Sequence, residues 1–158
     1  MAEYKQILDF LNVSFGVAID SLLRMGLNIP LIQNEMAESF YGDGVANLMK
    51  DVGLVIEGSD VKSITESFVK KIKEVGLCQR ANILEVNDSK IVLDLGECVL
   101  APITKVLRGD DRSMIPPCPM FAILYGAIVK KTGKTGFMEK CEWKPEENTS
   151  IFTFNLEG

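Results

Sequence analysis

The chain has 158 residues, is 47% hydrophobic and 25% charged, and carries a formal net charge of −5 with no histidine. That length and composition describe one globular domain, residues 1–158, with a real core rather than a disordered segment. The acidic balance argues against a nucleic-acid surface, which needs clustered Lys and Arg, and the missing histidine removes histidine bases, histidine metal ligands and histidine-ligated haem.

Leu8, Leu11, Phe15, Ala18, Leu22 and Met25 recur three and four residues apart. This a/d stripe predicts a helix over residues 4–25, either a long core helix or the seam of a homodimer. Gly26 and the Asn28-Ile29-Pro30 step end it. The opening MAEYKQILDF has neither a basic n-region nor a cleavage site, so no secretory signal is expected.

A second helix is expected over 31–51, with Ile32, Met36, Phe40 and Leu48 on one side and a weak point at Gly42 and Gly44. The GDGVAN string there is no dinucleotide fingerprint, since Asn47 takes its sixth position and no strand precedes it. Asp60 caps a third helix carrying Val61, Ile64, Phe68, Ile72 and Val75, closed by Gly76.

The period then shortens to two. Residues 80–87 and 90–97 read as strands joined at Asn87-Asp88-Ser89. A helical turn over 103–107 and the polar loop RGDDRSMIPP follow, the RGD tripeptide being incidental. Next, Pro119 opens a helix that is apolar nearly all round, and Lys130, Lys131 and Gly133 end it. Gly126 within it permits a close neighbour. Gly133-Lys134-Thr135 is no P-loop, because the required earlier glycine is Ile128 and the order runs helix to strand. Strands over 136–144 and 150–156, joined across Pro145-Glu146-Glu147-Asn148, finish the chain.

Helices first and strands grouped in hairpins predict an α+β fold: an antiparallel sheet of about four strands with helices on one face. The longest apolar run is the helix after Cys118, too short to span a membrane, so no membrane insertion is expected. Cys78, Cys98, Cys118 and Cys141 are expected as reduced thiols in a cytoplasmic protein.

Alternation along 137–143 places Phe137, Glu139, Cys141 and Trp143 on one face, the apolar one. A carboxylate there needs a reason. A metal shared with Cys141 and Cys118 would supply it, as would a basic partner or a place at the sheet rim.

The C-terminal third resembles the vinyl-4-reductase domain family. The resemblance rests on Cys118, the apolar helix containing Gly126, Cys141 at the end of a strand, and Phe152 or Phe154 in the last strand. It implies the fold shared by haem–nitric-oxide sensors and vesicle-tethering TRAPP subunits, a homodimer, and a small hydrophobic ligand. In phenol-sensing activators of this kind the domain also holds zinc through cysteines and a glutamate. Here that implies Cys118, Cys141 and Glu139, with water or Cys98 as a fourth ligand. Met138 stands at the family's glutamate position, and Thr149 or Ser150 where a third cysteine falls. The expected function is binding of an apolar, hydrocarbon-like or aromatic molecule near Phe68, Met120, Tyr125 and Trp143. The alternatives are an enzyme or accessory protein in tetrapyrrole-type reduction and a ligand-free interaction scaffold.

Overall fold

The computed structural model describes residues 2–42, 45–109 and 115–158. Asp43 and Gly44 of the GDG string and half of the RGDDRSMIPP loop, from Asp110 to Met114, lie outside the described residues. The elements run α1 (Ala2–Arg24), α2 (Ile29–Tyr41), α3 (Val45–Asp51), α4 (Val61–Glu74), β1 (Cys78–Val86), β2 (Lys90–Cys98), α5 (Ala101–Arg108), α6 (Pro119–Thr132), β3 (Thr135–Lys144) and β4 (Thr149–Glu157). The four strands form one antiparallel sheet in the order β1-β2-β4-β3. The α+β expectation holds, with the N-terminal helices first.

Local chemistry sets the boundaries. The Asn28 side chain accepts the Leu31 N–H at 2.8 Å and starts α2. Asp60 and Ser63 form a reciprocal capping box at the head of α4. The single helix expected over 31–51 is two, because Gly42 leaves the helical conformation (φ −77°, ψ 169°) and caps α2.

Val61, Ile64, Phe68 and Ile72 of α4 join Ala81, Leu93, Phe152, Phe154 and the whole middle of α6 in one core. The opposite sheet face is polar. Arg80 bridges Asp94 at 3.5 Å and Glu147 at 3.7 Å, and Lys140 meets Glu142 at 2.6 Å.

The first helix departs from the expectation of a core element. The face that packs on α5 is Asn12, Gly16 and Ile19, with Gly16 against Val106 and Ile103 and the Asn12 amide donating to the Val99 carbonyl at 2.7 Å. The heptad stripe of Leu8, Leu11, Phe15, Leu22 and Met25 is exposed. Lys5–Arg24 is also long and apolar enough to cross a membrane by length and composition, counter to the sequence reading.

Candidate functional site

Every residue of α6 from Met120 to Ile128 is buried. Gly126 is the reason α2 can lie so close: a Cβ there would sit 2.6 Å from the Tyr41 ring and 2.8 Å from the Ala37 carbonyl. Tyr41 donates its hydroxyl to the Ile123 carbonyl at 2.9 Å, and burial pushes its phenol well up. Near the helix head, the Gln33 side chain pairs with both backbone groups of Cys118. Gln33 and Tyr41 thus tie α2 to α6 at two levels.

Several spaces border this helix, and two of them take in expected ligand contacts at its flank and head. The larger, about 410 Å³, lies between α2, α6 and the start of β3, with Ile29, Pro30, Ile115, Phe121, Tyr125 and Met138 among its walls. The smaller, about 50 Å³, lies at the head of α6 and is bordered by Cys98, Arg108, Cys118, Met120, Trp143 and Phe152. The four expected ligand contacts are therefore divided. Tyr125 lines the large cleft, Met120 and Trp143 line the small crevice, and Phe68 is core, touching only a void of about 10 Å³.

The expected placement of Glu139 is overturned by a β-bulge. The β3–β4 register slips between Met138 and Lys140, so Met138 pairs with Phe154 and Cys141 with Phe152, both on the core side. The extra residue is Glu139. It is exposed, and its carboxylate accepts from Asn155 at 2.9 Å on the solvent face. Phe137 is half exposed, whereas Trp143 does share the side of Cys141, opposite Ser150.

The thiols remain free. Cys78 and Cys98 face each other across β1 and β2 and share a hydrogen bond, which raises the Cys78 pKa and lowers that of Cys98. Burial raises the Cys118 thiol to about 12, and the charges of Cys98 and Cys141 push the same way. Burial also raises Cys141, although the Arg108 guanidinium, 2.9 Å from its sulfur, acts in the opposite direction.

The zinc set implied by the resemblance does not fit these residues. Glu139 is on the far face of the sheet, and a fixed cation stands beside Cys141. Among the described residues no group of three or more His, Cys, Asp or Glu could hold a metal ion.

No family profile and no curated protein sequence matches the chain. A solved structure does: trafficking protein particle complex subunit 3 from Naegleria fowleri, covalently bound to palmitic acid. The TM-score is 0.54 at 16% identity, over 98% of this chain and 97% of that one. The fold is therefore that of a TRAPP subunit, as the resemblance implied. The vinyl-4-reductase family itself finds no match.

Sequence reasoning missed Gln33, Tyr41 and Arg108. The first two repeat at intervals of four with Ala37, a pattern that places them on one helical stripe. Arg108 follows the apolar face of Ile103 and Leu107 by a single residue, at the start of a stretch whose composition reads as a polar loop.

Proposed function

We propose that the chain is a small-molecule-binding domain that holds an apolar, chain-like ligand in the cleft between α2, α6 and β3. The observation that carries this is a mainly apolar space of about 410 Å³ beside a helix buried from Met120 to Ile128, in a fold shared with a subunit that holds palmitic acid. Apolar walls with few polar groups are what such a ligand needs, because each buried methylene contributes about 0.8 kcal/mol. Asn34 at the cleft supplies an amide group for a polar end, since the Gln33 amide is held by Cys118.

Native mass spectrometry of protein purified without added ligand, followed by titration with palmitic acid, tests the proposal. A retained or added mass is expected, covalent or not, and Ile29→Trp at the cleft wall should weaken uptake at least about tenfold. Protein that carries nothing and takes up no palmitic acid would leave only a scaffold role.

The exposed stripe of α1 supports a second component of this reading, a homodimer. Its apolar residues repeat over nearly three heptads, the pattern by which one helix packs along a second copy of itself. The opposite face is already occupied by α5, so the stripe is available to a partner.

A further inference from the structure

Arg108 is 6% exposed, lies at the end of α5, and borders the crevice at the head of α6. One guanidinium nitrogen donates to the Cys141 sulfur at 2.9 Å, and the group sits 5.8 Å from the centre of the Trp143 ring. Its Nε has no hydrogen-bond partner, and no carboxylate pairs with it among the described residues. An arginine stays charged at any ordinary pH, and a buried charge without a counter-ion is strongly disfavoured. The aromatic ring and the negative end of α5 offset part of that cost. The Cys141 thiol brings no negative charge, since burial keeps it protonated.

We propose that this crevice binds a small monocarboxylic acid, its carboxylate on Arg108 and its short apolar tail against Trp143 and Phe152. This is a second site, separate from the large cleft and independent of what fills it. The planar fork of a guanidinium matches a carboxylate, and it carries more donors than the bond to Cys141 uses. Among the described residues Arg108 is the one cation that lines the crevice, and Glu97 stands among its walls, which disfavours phosphates and dicarboxylates. A space of about 50 Å³ accepts roughly four water-sized groups, the scale of a short-chain acid. Leu95, Met120 and Phe152 give the tail an apolar wall.

The chain has a single tryptophan, and it is Trp143, so its fluorescence reads the crevice directly. Propionate is titrated against propionamide, which has the same shape without the charge, at constant ionic strength. The expected result is a saturable change with propionate, half-complete at millimolar concentration or below, and at least a tenfold weaker response to the amide. Arg108→Met should abolish the difference between the two probes, and Arg108→Lys should keep part of it. Equal responses to acid and amide would overturn the proposal, because the charge would then play no part. So would no response to propionate at all, the behaviour of an arginine already satisfied by a carboxylate of the chain. The comparison of the two probes on the native protein stands even if Arg108→Met fails to fold.

Discussion

The Gln33 side chain clasps the backbone of Cys118, accepting its N–H at 2.9 Å and donating to its carbonyl at 3.0 Å. Gln33 is only 7% exposed, so both contacts are dry. The same carbonyl also receives the first helical hydrogen bond of α6, from Ala122 at 3.0 Å. A side-chain amide from α2 thus does for the backbone of Cys118 what a neighbouring strand does in a sheet, satisfying its N–H and its carbonyl together.

Replacing Gln33 with Leu keeps the volume and removes both contacts. The Cys118 N–H is then buried without a partner, which costs about 1–3 kcal/mol. Urea denaturation should show that loss with an unchanged slope. A midpoint equal to that of the native protein would mean that the clasp contributes nothing to stability.

Gly126→Ala sets two effects against each other. Alanine favours the helix by about 1 kcal/mol. Its Cβ would meet the Ala37 carbonyl at 2.8 Å, and a backbone atom cannot swing aside. Overpacking of this kind costs about 1–3 kcal/mol. The expected outcome is net destabilisation together with loosening of the Tyr41 contact, seen as faster hydrogen exchange in α2. A more stable protein would show that α2 and α6 can part at no cost.

Alkaline pH should weaken the fold. The Cys118 thiol is raised from 9.0 to about 12, and the Tyr41 phenol is raised as well. The native state then keeps protons that the unfolded chain gives up. The stability they represent is complete below about pH 8.5 and is lost progressively as pH rises towards 12. For Cys118 alone the loss is about 2 kcal/mol by pH 10.5. Stability measured against pH should be level in the neutral range and then fall, and Cys118→Ala should flatten the decline. Alkylation adds a second readout: Cys98, with its lowered pKa and partial exposure, should react ahead of the buried Cys78, Cys118 and Cys141.

The dimer is tested at Phe10 and Leu11, which are 70% and 57% exposed. Neither lies on the face that meets α5, so an aspartate there should leave the monomer folded. Sedimentation of Leu11→Asp should show dimerisation weakened about 30-fold or more, the effect of losing a central contact. A native protein that stays monomeric at micromolar concentration would falsify the dimer. Partition of the native protein into liposomes would assign the stripe of α1 to lipid instead.

Periodicity carried most of the fold. The stripe of α4 is buried as its spacing predicts, and α6 is buried from Met120 to Ile128 as its composition demands. Two other patterns misled for identifiable reasons. The heptad in α1 is genuine, but a repeat states only that residues share a face, not which neighbour the face meets. Here Asn12 and Gly16, the less apolar choice, meet α5 because the amide finds a carbonyl and the glycine admits a close approach. In β3 the alternation of Phe137, Glu139, Cys141 and Trp143 looks regular, and no glycine or proline marks the bulge. Only the pairing with β4 exposes it. Arg108 could not be read from local sequence, since its burial arises when α5 folds against the sheet end that carries Cys141 and Trp143.

The extra residue at Glu139 also makes β3 a strand of two halves. Gly136, Phe137 and Met138 serve the large cleft, whereas Trp143 serves the small crevice and Cys141 holds its arginine. An unbroken strand would lock the two stretches into one alternating frame, so that re-aiming a side chain in the first would turn over every side chain in the second. With the bulge as a joint between them, the two compartments can be altered separately. A change of ligand in one leaves the chemistry of the other in place.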